Sequence, residues 1–340
     1  MVHPEKGEVK MVAEVVVGID VSAEILDVAA EANGGELPLQ QFANDAEGHK
    51  KLSQWLSKCG KDVRVVLEST GVYSINLALA LDARDRTEVM VANPRAMKDF
   101  IRATMQRSKS DAKDAVAIRE FAKRMPFVPW LPPAREVLEL RGIARRIAAL
   151  TVERTREKNR LHAAEASERF SRVVLRDIGV NIRHLERRIN LLTQEAVKVV
   201  EKQAELARAF RRLMSVKGIA QTSAVQILPE LLVLPKDMTV RQWVAHVGLD
   251  PREYQSGSSV EKPTRISKMG NVHLRRALYM PALVASRSEP QVKAFYKKLI
   301  EKGKKPLQAL VAIMRKLLHA IYGMLKNDSD FDGKKFYALG

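Results

Sequence analysis

Four carboxylates in the first third of the chain stand where an α/β fold could gather them. Asp20 ends the apolar run EVVVGIDVS, Glu68 follows VRVVL, and Asp111 and Asp114 lie in RSKSDAKDAVAIREF. Asp111 and Asp114, three residues apart, share one face of a helix. Strand ends are where α/β sheets form their sites. Four carboxylates brought together repel unless cations neutralise them, and carboxylate oxygens suit the hard ions Mg²⁺ or Mn²⁺. Two such ions about 4 Å apart clamp the attacking and leaving oxygens of a phosphodiester. Taken singly, each of these residues reads more readily as a turn residue or helix cap, and Ser110 competes with Asp111 for the cap. Together, in this order and on a basic chain, they read as a metal site. Asp27, Asp62 and Asp99 lack such placement and are expected to be structural.

A second reactive candidate is YQSGSSV, residues 254–260. It has no helical or strand period, and three serines around one glycine predict a turn. Lys262, Arg265, Lys268, Arg275 and Arg276 follow closely. A serine hydroxyl beside such cations attacks a phosphodiester once it is deprotonated or metal-activated, and nearby guanidinium groups offset charge in the transition state. Taken alone, SGSS reads more readily as an ordinary hydrophilic turn. No Ser-His-Asp arrangement is legible from spacing, and nothing marks His246 or His273 as a base.

The elements that must position these groups begin with strands at about 14–22, 25–32 and 37–44, the last two joined at Asn33-Gly34, a strong hairpin signal. A helix over 47–58, a strand over 63–67, a helix over about 74–83 and a strand over 88–93 follow. Helical patterns then run to about Arg124. A meander of three strands followed by helix, strand, helix, strand, helix matches an RNase H-like domain, here residues 1–125. The four prolines of PFVPWLPP (126–133) break any helix and mark a boundary.

From 134 to 211 the chain has no proline and reads as two long helices, a coiled-coil segment. Its excess of Lys and Arg favours a side facing nucleic acid. The rest, 212–340, reads as a mainly α domain. SVKGIAQTSAVQIL (215–228) is a glycine turn between helices, which offers backbone N–H groups to a phosphate or is structural; Ala220 stands where a Gly-x-Gly turn would have its second glycine. VRQWVAHVGLDP is a short helix ended by Gly248 and Pro251, and ISKMGNVHLRRALYMPALVA a helix with a basic start.

Charge sets the class of partner. The 340 residues carry a formal net charge of +18, which favours a polyanion through counterion release, nucleic acid being the commonest. Residues with apolar side chains, 46% of the total, are enough to build cores. No apolar run is long enough to span a bilayer, and the N-terminus has no signal-peptide core. The single cysteine, Cys59, excludes an internal disulfide framework or a cysteine-rich zinc site. A cytoplasmic location is the expectation.

GIDVS, LESTGVY, KSDAKDA and YQSGSSV…RISKMGNVHLRRALYMPA, in this order and over nearly the whole chain, resemble the transposases of the IS110 family. The resemblance implies a RuvC-like DEDD domain with Asp20, Glu68, Asp111 and Asp114 as its metal-binding tetrad. It also implies a coiled-coil segment and a C-terminal transposase domain whose nucleophile matches Ser256, ahead of Ser258 and Ser259. Arg265, Lys268, Arg275 and Arg276 are the nucleic-acid-binding candidates. By resemblance alone, the partners are DNA, a structured guide RNA and further subunits, as a homodimer or homotetramer. Two other readings share these residues. One is a RuvC-like nuclease hydrolysing branched DNA with metal and water; the other is a non-catalytic nucleic-acid-binding protein.

Overall fold

The computed structural model describes residues 14–69, 71–104, 110–166, 170–256 and 260–338. The chain divides into two compact units, Met1–Pro132 and Pro133–Gly340.

The first unit runs β1 (Val15–Val21), β2 (Ile25–Ala32), β3 (Gly35–Glu36), β4 (Gln40–Ala43), α1 (Ala46–Cys59), β5 (Val63–Glu68), α2 (Val72–Asp82), β6 (Thr87–Ala92), α3 (Pro94–Ala103) and α4 (Asp111–Arg124). The sheet order is β3-β2-β1-β5-β6, with β4 also paired to β2. β1 is antiparallel to β2 and parallel to β5, and β5 is parallel to β6. This mixed six-stranded sheet is consistent with an RNase H-like domain. Asn33 and Gly34 both have positive φ, as the tight turn between β2 and β3 demands. The strand expected over 37–44 is confined to β4, Gln40–Ala43, and a separate two-residue strand, β3, precedes it at Gly35–Glu36. Pro38 lies in the break between them, where a residue without an N–H cannot serve the ladder.

Alternation along the strands sends side chains to two layers. On one face Val15, Val17 and Ile19 join Val63, Val65 and Leu67 under α1 and α2, through Leu52, Leu56, Leu77 and Leu81. On the other face Val66 and Ala92 pack against Met97 of α3 and Ile118 and Phe121 of α4.

The second unit is built of helices around one core. α5 (Arg135–Glu165) and α6 (Arg172–Glu201) pack as a helical hairpin, followed by α7 (Ala204–Met214), α8 (Gln221–Leu232) and α9 (Val240–Val247). Two long helices were expected over 134–211, but the described residues there form three. Gln203 is extended, and α7 turns its own apolar residues, Leu206, Phe210 and Leu213, into the core that also holds Val225 and Leu228 of α8. Burial of that separate face directs the break.

β7 (Pro251–Ser256) and β8 (Val260–Ile266) then form an antiparallel pair. The sequence around YQSGSSV predicts a turn without strands, so this is a correction. Two strands paired with each other satisfy each other's backbone groups and need no alternating apolar face, so periodicity misses them. The unit closes with α10 (Val272–Ala277), α11 (Tyr279–Ser288), α12 (Pro290–Glu301), α13 (Pro306–Lys326) and α14 (Gly333–Phe336). Among the described residues no helix is long and apolar enough to cross a membrane.

Candidate active site

Asp20 and Glu68 each follow directly on a paired residue, because Ile19 of β1 is in register with Leu67 of β5. Parallel pairing thus sets the two acids side by side at the carboxyl ends of neighbouring strands. Both are half-buried.

Helix α4 brings the other two. Ser110 is its N-cap and accepts a hydrogen bond from the Lys113 N–H, so Asp111 and Asp114 fall in the first turn. There the acids are favourable at the positive end of the helix. Further along α4, Arg119 is buried and pairs with Glu31 of β2 and Glu36 of β3. Lys123 meets Glu31 at 2.7 Å. These ion pairs hold the far end of the helix beside β2, with its first turn at the Asp20 end of β1.

The approach of α4 to the sheet is close enough to require glycine. A Cβ on Gly18 would stand 2.1 Å from the Arg119 backbone nitrogen and 2.4 Å from the Ala115 carbonyl oxygen. Gly18 lies on the same face as Asp20, two residues before it, so the close contact of α4 with β1 and the approach of its carboxylates to Asp20 are one structural fact.

The electrostatic result is plain. Burial, and then the charges of Asp114, Asp111 and Asp27, push the Asp20 carboxyl up to about 6. Asp27, expected to be structural from the sequence, is directly opposite Asp20 in the β1–β2 register. It is also buried and accepts a hydrogen bond from the Gln41 side chain at 2.7 Å. The set is all carboxylate oxygen, the chemistry that Mg²⁺ or Mn²⁺ prefers, and a cation would relieve the repulsion borne by Asp20. Among the described residues, no three His, Cys, Asp or Glu side chains are gathered closely enough to hold an ion as they stand.

Ser256 is the last residue of β7, in register with Val260; Gly257, Ser258 and Ser259 lie outside the described residues. Among the predicted nucleic-acid contacts, Arg265, Lys268 and Arg276 are exposed. Arg275 is half-buried and donates from Nη1 to the Val247 carbonyl oxygen at 2.6 Å. Arg252 and Arg265 face each other across the strand pair. His246 and His273 are both lowered, chiefly by burial.

The glycine turn before α8 has a packing reason. Gly218 has φ of +110°, and a Cβ there would lie 2.7 Å from the Pro281 carbonyl oxygen of α11. Sequence reading also passes over Glu230. A lone acid in the apolar run AVQILPELLVL signals a buried partner, and the structure supplies three in Arg141, Arg145 and Asn271.

A family model of IS110-type DEDD transposases matches residues 17–164, which include all four acids. A second, described as "Transposase IS116/IS110/IS902 family", matches residues 210–297, spanning α8 to α11 and Ser256. The chain belongs to the IS110 family of transposases. IS110 membership makes it a protein of DNA cutting and joining. The chain is 27% identical over 325 residues to the "Pilin gene-inverting protein" of Moraxella bovis, covering 93% of this chain and 97% of that one. It is 24% identical over 290 residues to the "Transposase for insertion sequence element IS1328" of Yersinia enterocolitica, covering 79% of this chain and 83% of that one.

Proposed function

We propose that the chain recombines DNA as an insertion-sequence transposase. In this reading Asp20, Glu68, Asp111 and Asp114 hold Mg²⁺ or Mn²⁺, Ser256 is the nucleophile, and a structured RNA guides the choice of DNA. The observation that carries the metal site is the crowding of carboxylates on Asp20, the condition under which a cation binds and orients phosphate oxygens. The role of Glu68 rests on its register beside Asp20. When bound, the ion would polarise the scissile phosphate; the protein's share is to hold four oxygens on a rigid sheet edge and one helix turn.

Ser256 would attack a DNA phosphorus through its hydroxyl oxygen. The phosphoserine link would form as the phosphorus–oxygen bond to the leaving DNA hydroxyl breaks, and that hydroxyl would take up a proton. The link conserves one ester for rejoining. Arg252 and Arg265 support the placement, because like charges opposite each other on a strand pair repel and a phosphate backbone would relieve them. The segments 134–211 and 212–340 are proposed as a coiled-coil segment and a transposase domain, in a dimer or tetramer.

Inversion of a gene segment, the activity in the name of the Moraxella relative, requires rejoining as well as cutting. That favours recombination over hydrolysis by a branched-DNA nuclease. The test is a denaturing gel of wild type, Ser256→Ala, Ser258→Ala and Ser259→Ala with element-end DNA, Mg²⁺ and the element's RNA. A protein–DNA adduct lost only in Ser256→Ala is expected. An undiminished adduct in that variant moves the nucleophile elsewhere. Metal-dependent cutting with no adduct in wild type means hydrolysis.

A further inference from the structure

The strand pair carrying Ser256 has little of its own to hold it. Among the described residues neither strand packs extensively on another element, and two strands alone are marginally stable. The six residues of β7 reach about 17 Å from the base at about 3.3 Å per residue. A tilt of about 5° at the base would therefore move the tip by roughly 1.5 Å. Misplacement by about 1 Å can lower a rate about 10²-fold. The position of Ser256 is consequently decided at the base.

The base is tied to α9 and the turn after it. The Ser267 N–H donates to the Asp250 carbonyl oxygen at 2.9 Å, and that of Lys268 to Gly248 at 3.1 Å. The Asn271 N–H donates to the His246 carbonyl oxygen at 2.7 Å. Gly270, at φ +125°, lets the backbone come so near that a Cβ would lie 2.1 Å from that same His246 oxygen.

Asn271 then joins α10 to α8 through its two side-chain atoms, and through Glu230 to α5. Its Oδ1 accepts from the His273 and Leu274 N–H groups, both at 3.0 Å, and so caps α10. Its Nδ2 donates to Glu230 Oε2 of α8 at 2.7 Å. Glu230 is 1% exposed and is held from α5 by Arg145 Nε at 2.8 Å and Arg141 Nε at 3.2 Å. Burial alone would raise the Glu230 carboxyl, but Arg145, Arg141 and Asn271 outweigh it and hold it at about 2. A buried ion pair is weak evidence for stability, because desolvation offsets the attraction. Its best-attested use is to fix one arrangement among several.

We infer that Glu230 and Asn271 form a lock that sets the position of the β7–β8 arm, making them positioning residues for Ser256. The inference rests on the proposed role of that serine. Asn271→Asp keeps the cap oxygen of α10 but turns a donor to Glu230 into an acceptor. The exchange Glu230→Gln with Asn271→Asp restores a hydrogen bond of reversed polarity at the same place.

The test uses the full chain with Cys59→Ser and spin labels on cysteines introduced at Val260, the partner of Ser256 at the tip of the arm, and at the exposed Lys304. The distance distribution between them and the single-turnover DNA cleavage rate are read together. Asn271→Asp should shift or broaden the distribution by about 2 Å or more and slow cleavage about 10²-fold, with DNA retention and melting temperature held. The exchange variant should recover both. If Asn271→Asp lowers the melting temperature strongly, Asn271→Ser, which keeps a cap oxygen and lacks the donor, takes its place. An unchanged distribution, a rate within twofold of wild type, or an exchange variant that recovers neither would overturn the lock. Ser256→Ala alongside separates the two readings. If it keeps the adduct while Asn271→Asp still moves the arm, the serine assignment fails and the lock stands as a device of the arm alone.

Discussion

The acidic cluster and the serine arm place the proposed reactive groups in opposite ways. Asp20, Asp111 and Asp114 are placed by packing, through a helix pressed onto a sheet so closely that Gly18 admits no side chain. The arm is placed from one end, by backbone hydrogen bonds and a buried polar contact at its base. Packing gives the cluster a fixed shape at the expense of burying a carboxylate and crowding it with like charges, and the Asp20 carboxyl is raised by burial first and by those charges second. Anchoring at one end leaves the arm open to a large substrate while making its tip sensitive to small changes far away.

The two regions should therefore respond differently to substitution. The largest effect is expected from Asp114→Asn, which should lower DNA cleavage on the order of 10⁴-fold, as when one member of a cooperating catalytic set is removed. It should leave retention of DNA on a filter nearly intact, because the basic surface is untouched. Equal loss of DNA retention would mean that the cluster holds structure rather than chemistry.

Gly18→Ala comes next. It should destabilise the first unit by about 3 kcal/mol, the upper end for overpacking, because its neighbours are backbone atoms that cannot rotate away. Urea unfolding followed by tryptophan fluorescence measures this. A loss under about 0.5 kcal/mol would show that α4 does not press on β1 as described.

Asp20→Asn should act on stability with a defined pH dependence. Asp20 binds its proton more tightly when folded, with its carboxyl moved from the ordinary 3.8 to about 6. Its ionisation therefore costs stability that is absent below about 3.8, grows between 3.8 and about 6, and is full above about 6. In chelator-treated protein, Asp20→Asn should melt higher than wild type at pH 7.5, and the difference should vanish by pH 3.5. A gap independent of pH would place its origin outside this carboxylate.

The smallest effect has the opposite sign. Gly142 is exposed on α5, and a Cβ there would meet nothing within 4 Å. Gly142→Ala should stabilise the second unit by about 0.5–1 kcal/mol through helix propensity. Set beside Gly18→Ala, it tests whether surroundings or residue type decides the outcome.

Much of this was legible in the residues themselves. Apolar alternation and the Asn33-Gly34 turn marked the strands of the first unit, and prolines marked its end, since these are local properties of the chain. The placement of the four proposed acids, at two strand ends and in one first helix turn, follows from element order. The β7–β8 strands were missed because their pairing is between backbones, which leaves no pattern in side chains. Asp27 was set aside and Gly18 overlooked for one physical reason. Opposition across β1 and β2, and the depth at which α4 meets the sheet, exist only once distant segments pack. The same holds for Glu230. Its lone charge in an apolar run was a signal that went unread, and tertiary structure alone decided that the partners are Arg141, Arg145 and Asn271, because burial leaves a carboxylate only the neighbours that the fold brings to it.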